Sequence, residues 1–136
     1  MYYTRFIMKN NILKFIEYIY YLSLFVLFIL YLFPGSLIGY LFYGNLGQQP
    51  NLIDSPIGTS INHFSYFVYL SSLGLVSRTR NKRLINSFQL LFFISIVLEL
   101  SHYFIPNRAF EYYDLFANSA GVIFVYLFFY FFIKKY

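Results

Sequence analysis

The sequence predicts an all-α membrane protein, a bundle of four transmembrane helices, and three observations support that prediction. The chain has 136 residues, of which 60% are hydrophobic and only 11% are charged, and its mean hydropathy is +0.60. Soluble domains average about 25% charged residues, so the deficit indicates a lipid environment. Long apolar runs without two-residue alternation favour helices, which satisfy their own backbone groups in lipid.

Four apolar segments within a single domain, residues 1–136, approach or reach the about 17–25 residues that a membrane span requires. The first ends at the breaker pair Pro34-Gly35 and the third ends before Pro106. The first is longer than a signal-peptide core, so we expect it to remain as an anchor. After it, the stretch SLIGYLFYG at 36–44 has room for a short interfacial or re-entrant helix. The predicted spans are residues 15–33, 61–76, 84–105 and 113–133.

The basic residues predict the orientation of the spans. Nine of the ten lysines and arginines lie in segments that four spans place on one side, and the positive-inside rule makes that side cytoplasmic. Both termini are therefore expected in the cytoplasm, with Glu17 snorkelling at the inner boundary. We interpret the basic loop at 77–83 as a signal for membrane orientation that lies beside anionic lipid, and not as a nucleic-acid-binding site. The nine residues are Arg5, Lys9, Lys14, Arg78, Arg80, Lys82, Arg83, Lys134 and Lys135.

Polar residues at helical spacing mark the outer ends of the predicted spans. Glu99 and His102 lie three residues apart near the end of the third span, so they share a face. Asp114, Asn118 and Gly121 form one stripe at the start of the fourth. A charge at mid-membrane costs about 2.5–3.5 kcal/mol on insertion scales, so this concentration of ionisable groups indicates a role. His63, Tyr66 and the loop residue Arg108 are predicted to lie at the same membrane depth, so these residues together form a polar layer.

Each of these residues also has a purely structural interpretation. Asp114 is well placed to cap a helix or to oppose its dipole. Glu99 is a candidate to neutralise Arg108. His63 is interpretable as a satisfied interfacial histidine, and Asn118 as a hydrogen bond between two helices. A purely structural interpretation of the whole layer is weaker, because it requires several polar side chains to be placed independently, and at a cost in free energy, at one membrane depth.

The chemistry of these side chains leaves ligand binding, catalysis and packing open. The planar guanidinium of Arg108 suits a phosphate or carboxylate, and Glu99, His102 and Asp114 are candidate catalytic acids or bases. No serine or threonine clearly supplies a nucleophile, and the chain has no cysteine. The candidate ligand-binding residues are His63, Tyr66, Glu99, His102, Arg108, Asp114 and Asn118.

No cofactor and no metal are assigned from the sequence, because the spacing of these residues is not a dedicated metal signature. An alternative remains open in which nitrogen and oxygen ligands come from four residues. These are His63, Glu99, His102 and Asp114.

The order of these motifs resembles that of the VanZ-like membrane proteins, named for an accessory protein of teicoplanin resistance. The resemblance covers about residues 60–125. Three departures stand out: Ser60 where the family often has Lys, His102 where Gln is usual, and Val125 in place of a second Gly. The matching residues are His63-Phe64 with Tyr66, then Glu99, then Pro106 with Arg108, and finally Asp114, Asn118 and Gly121.

This resemblance implies a multi-pass protein of the bacterial cytoplasmic membrane that serves the cell envelope, with a link to glycopeptide antibiotic resistance. Together with the polar layer, it predicts an outward-facing site for an anionic or lipid-linked envelope component. One alternative is a structural or partner-binding protein whose polar layer only holds the helices together. Another is a membrane enzyme acting on a polyprenyl-phosphate-linked substrate.

Overall fold

The all-α class is confirmed by a computed structural model, which describes residues 2–133 apart from 56, 81, 84 and 86, with side chains for residues 10–132. These residues form five α-helices and no strand. A single π-helical turn, Phe129–Ile133, continues the last helix. The helices are α1 (Tyr2–Leu32), α2 (Leu37–Tyr43), α3 (Gly58–Arg80), α4 (Phe88–Ser101) and α5 (Tyr112–Phe128).

Local signals explain where the helices begin and end. The expected short helix forms as α2, because the Ser36 hydroxyl caps its first turn and Gly44 closes it in the left-handed region at φ 66°. Helix α3 is longer than its predicted span. Helix α4 is shorter: Ser87 caps its start, and it ends at Ser101, ahead of the turn that holds Pro106. The predicted start of that span, at residue 84, lies outside the described residues.

Helices α1 and α3 run antiparallel. Tyr31 near the end of α1 bonds to His63 near the start of α3. Glu17, at the middle of α1, bonds to Arg80 at the end of α3. The start of α3 therefore lies beside the end of α1, and the end of α3 lies beside the middle of α1.

Helices α4 and α5 also run antiparallel and align with the first pair. Glu99 near the end of α4 bonds to Asn118 near the start of α5, while Phe88 packs on Tyr126 at the opposite ends. Tyr31 bonds to Asn118 as well as to α3. The ends of α1 and α4 thus meet the starts of α3 and α5. We call this the polar end of the bundle and the opposite one the basic end.

Charge is segregated between the two ends. Arg108 lies at the polar end, whereas Lys14 and the cations at the end of α3 lie at the basic end. Glu17 differs from the prediction: it does not snorkel but is buried and forms an ion pair with Arg80. A buried carboxylate needs such a partner because water no longer solvates it. Four cations of the topology argument have side chains outside the described residues: Arg5, Lys9, Lys134 and Lys135.

Two helical stretches are long and apolar enough to cross a membrane. They are Asn10–Leu32, with mean hydropathy 2.0, and Tyr112–Phe132, with mean hydropathy 1.9. Only 33% and 22% of their apolar windows are buried, whereas the core helix of a soluble protein is mostly buried. Among the described helices, α3 and α4 do not meet the same criterion of length and hydropathy.

Gly121 allows α5 to approach α3 closely. A Cβ atom at this position would lie 2.7 Å from the carbonyl oxygen of Phe64 and 2.9 Å from the Cβ of Phe67. Small residues permit such contacts between helices in membranes. The glycine therefore sets the spacing between the two helices that carry His63 and Asn118.

Gly121→Ala is expected to destabilise the bundle by about 1–3 kcal/mol, because the added methyl group must push α3 and α5 apart. Thermal unfolding in detergent micelles measures the loss. Gly47→Ala is the matched control, since a Cβ there would meet only the Asn45 Oδ1 atom, at 3.4 Å. Equal unfolding midpoints for the two variants would contradict the close packing at Gly121.

Candidate functional site

A chain of hydrogen bonds joins the four long helices at the polar end. The Tyr31 hydroxyl of α1 lies 2.8 Å from Nδ1 of His63 and donates to Oδ1 of Asn118 at 2.7 Å. The Asn118 amide nitrogen donates to Oε2 of Glu99 at 3.3 Å. When His63 carries its proton on Nδ1, it donates to Tyr31, and the chain runs in one direction to the carboxylate.

Glu99 is fully buried and is surrounded by hydrogen-bond donors. Its Oε1 atom lies 3.2 Å from Nδ1 of His102, one turn further along, and 3.4 Å from the backbone nitrogen of Glu111. Its Oε2 atom receives the amide of Asn118 and lies 3.9 Å from Nδ1 of His63. These donors offset part of the cost of keeping a carboxylate away from water.

Asp114, in the first turn of α5, joins the cluster of polar side chains formed by Tyr31, His63, Glu99 and Asn118. Its Oδ1 atom accepts the hydroxyl of Ser60 at 2.5 Å, and its Oδ2 atom lies 3.6 Å from Nε2 of His63. The residue at the N-cap position of α5 is Glu111, whose side chain makes no capping bond. Asp114 therefore occupies a position favourable to the helix dipole, while its side chain bonds to α3.

Arg108 does not pair with Glu99 in the described part of the chain. Its guanidinium instead donates to two carbonyl oxygens at the end of α1, that of Leu30 through Nη2 and that of Phe33 through Nε at 3.3 Å. Helix ends leave such carbonyls unpaired, and a cation there also opposes the dipole. Burial lowers the pKa of the Arg108 guanidinium from its ordinary value, but the group keeps its positive charge.

A cavity of about 130 Å³ opens beside this cluster. Apolar side chains from α1 and α2 line one part of it, including Leu27, Leu30 and Leu37. The buried Nε2 atom of His102 has no hydrogen-bond partner among the residues described. Buried polar atoms are usually hydrogen-bonded, so this nitrogen is available to a group that enters the cavity. Polar side chains line another part, and they include Tyr31, His63, Tyr66, His102 and Arg108.

The structure brings most of the predicted residues together and separates two of them from the carboxylates. Arg108 lines the cavity but bonds to α1. Tyr66 also lines the cavity, but its hydroxyl donates to the carbonyl oxygen of Ser23, away from the cluster. The residues in direct polar contact are His63, Glu99, His102, Asp114 and Asn118.

Sequence reasoning missed Tyr31, the residue at the centre of the hydrogen-bond chain. It is one of 16 tyrosines and lies in an apolar run, so its identity carries little information. Its position did carry a signal, because Tyr20, Leu24, Leu27 and Tyr31 recur at helical spacing and form the buried face of α1. Ser60 was noted only as a departure from the VanZ-like pattern, yet it is the hydrogen-bond partner of Asp114.

The fold and the site define an all-helical bundle with a buried histidine–carboxylate cluster beneath a small cavity. No family model, curated protein or solved structure matches the chain. The VanZ-like family therefore stays a prediction from the sequence motifs.

Proposed function

We propose that this chain is a four-span, VanZ-like protein of the bacterial cytoplasmic membrane, with both termini cytoplasmic. Its polar end faces outward and binds the anionic head group of a lipid-linked envelope component, with the link to glycopeptide resistance that the family resemblance implies. The apolar surface supports a membrane location, since large hydrophobic side chains are exposed along α1 and α5. The segregation of cations to one end supports the orientation.

Four spans remain the best account although α3 and α4 are less apolar or shorter than the other two. Helix α3 contacts both α1 and α5, so its polar residues Ser71 and Ser77 are buried inside the bundle and need not face lipid. Helix α4 has 14 residues, which span about 21 Å. A bilayer accommodates a short helix by thinning locally, at a modest cost per ångström.

Arg108 is the observation that carries the proposed ligand class. Among the residues that line the cavity, it is the one with a permanent charge. A guanidinium has five N–H donors, and the two bonds to α1 leave donors available for the oxygens of a phosphate. The apolar part of the wall suits the first carbons of a lipid chain. Glu99 and Asp114 are not among the lining residues, so Arg108 presents the one permanent charge on the cavity wall.

Arg108→Gln is expected to weaken binding of polyprenyl phosphate at least about tenfold, because a charge-assisted bond of about 1.5–3 kcal/mol is lost. Native mass spectrometry of protein in nanodiscs that contain polyprenyl phosphate measures the bound fraction. Uncharged polyprenol should bind weakly to wild type and variant alike. Arg108→Lys should stay folded yet bind less than wild type, since lysine cannot donate paired bonds.

Lys82→Gln is the matched control for charge. It also removes one positive charge, but from an exposed position at the basic end, so we expect wild-type binding. Free inorganic phosphate, added as a competitor in the same measurement, distinguishes a site for the lipid head group from a site for the soluble anion. Displacement of the lipid by free phosphate indicates a site for the soluble anion. Retention of polyprenyl phosphate by Arg108→Gln, with loss in Lys82→Gln, would show that the proposed site is wrong.

A packing role is the second candidate function, and the hydrogen-bond chain itself favours it. The chain from His63 through Tyr31 and Asn118 to Glu99 connects all four long helices, as a purely structural polar layer would require. This candidate predicts that wild type and Arg108→Gln bind polyprenyl phosphate equally weakly. The lipid experiment therefore separates the two functions.

A further inference from the structure

We infer that His63, Glu99 and Asp114 form a binding site for a divalent metal ion such as Zn²⁺. One ligand atom from each residue lies within 4.8 Å of the other two. The three come from α3, α4 and α5, so the packing of the bundle assembles the site. His102, the fourth candidate ligand, instead bonds to Glu99 through Nδ1 and belongs to the surroundings of the site.

The spacing between His63 and Asp114 suits an ion placed between them. Nε2 and Oδ2 are 3.6 Å apart, which exceeds an ordinary hydrogen bond of about 2.7–3.2 Å. Two ligands that are each about 2.1 Å from a tetrahedral zinc ion lie about 3.4 Å apart. The bond from Ser60 is made to Oδ1, so Oδ2 keeps its lone pairs for a metal.

The hydrogen bonds around these residues are those that metal sites use to orient their ligands. His63 bonds through Nδ1 to Tyr31, which favours the tautomer with a free lone pair on Nε2. The same chain passes through Asn118 and ends on Glu99, so it holds two of the proposed ligands. Ligating histidines and carboxylates are commonly fixed by such outer partners.

Charge and an unpartnered atom provide independent support. Glu99 and Asp114 are both buried carboxylates, whereas Arg108 bonds to the end of α1 and not to either of them. A divalent ion supplies the positive charge that two buried carboxylates need. The buried Nε2 atom of His102 lacks a described partner, and His102 lines the same cavity as the proposed ligand His63, so a group bound in that cavity has this nitrogen available. The idea that the ion helps to bind an anionic head group rests on the proposed function. The metal site itself does not rest on it.

Zinc binding to metal-stripped protein in detergent tests this inference. Equilibrium dialysis with elemental analysis should find one Zn²⁺ per wild-type chain. Asp114→Asn and His63→Gln should each lower the affinity at least about 100-fold, since even outer-shell changes cost about 10–100-fold. Added Zn²⁺ should raise the unfolding temperature of wild type, because it binds the folded state, but should not raise that of either variant.

Asp54→Asn is the matched control, because it removes an exposed carboxylate from the loop at the same end of the bundle. It should bind zinc as wild type does and show the same thermal shift. Circular dichroism of each variant without metal verifies that it is folded. Substoichiometric zinc on wild type, or equal affinity in Asp114→Asn and wild type, would overturn the metal site.

The two proposals fail separately. If zinc does not bind while Arg108→Gln still loses polyprenyl phosphate, the metal inference is wrong and the proposed function stands. If zinc binds through Asp114 and His63 while Arg108→Gln keeps the lipid, the metal site stands and the proposed function is wrong.

Discussion

Arg80→Gln is expected to lower the free energy of unfolding by about 3 kcal/mol. The substitution leaves the carboxylate of Glu17 buried without its cation, and breaking a buried pair costs about 3–5 kcal/mol. We expect the lower end of that range because the Arg80 side chain is 31% exposed. Equilibrium unfolding by denaturant in detergent micelles, followed by circular dichroism, measures the change.

Two variants separate the ion pair from net charge. Arg78→Gln removes one positive charge from the same turn of α3 and should change the stability by no more than about 0.5 kcal/mol. The double variant Glu17→Leu with Arg80→Leu should recover most of the loss, since apolar replacement of a buried pair is often neutral. A loss as large in Arg78→Gln as in Arg80→Gln would contradict a specific role for the pair.

In intact cells, a single cysteine introduced at the polar end is expected to react with a membrane-impermeant reagent, whereas one introduced at the basic end is not. The chain has no cysteine, so a variant with one introduced cysteine has no background. In intact cells, Asn51→Cys should react with a membrane-impermeant maleimide because it lies in the loop at the polar end. Thr79→Cys, near the last turn of α3 at the basic end, should react only after the cells are permeabilised.

Both positions are exposed, so burial does not account for a difference between them. A membrane-permeant maleimide should label both variants equally and verifies that each thiol is reactive. Labelling of Thr79→Cys but not Asn51→Cys in intact cells would invert the proposed orientation. Labelling of both would argue against a membrane between the two ends.

The sequence by itself determined the helical class and the approximate position of four of the five helices, whereas α1 begins at Tyr2, 13 residues before its predicted start at residue 15. Such features depend on local physics: apolar runs select helices, Ser36 and Gly44 mark the ends of α2, and Pro106 accompanies the turn after α4. The sequence also placed His63 and Asn118 at one level, because successive helices that alternate in direction bring the end of one helix beside the start of the next. Position along a helix axis follows from residue number at about 1.5 Å per residue.

Only the tertiary structure decided which side chains meet within that level. Contact also depends on how each helix is rotated about its axis and on how closely it approaches its neighbours, and Gly121 allows the close approach of α5 to α3. The sequence pattern therefore does not single out Tyr31, and it offers Arg108 as a candidate partner of Glu99 although Arg108 bonds to the end of α1. Those contacts join residues distant in the chain, and a one-dimensional pattern does not record the rotation that brings them together.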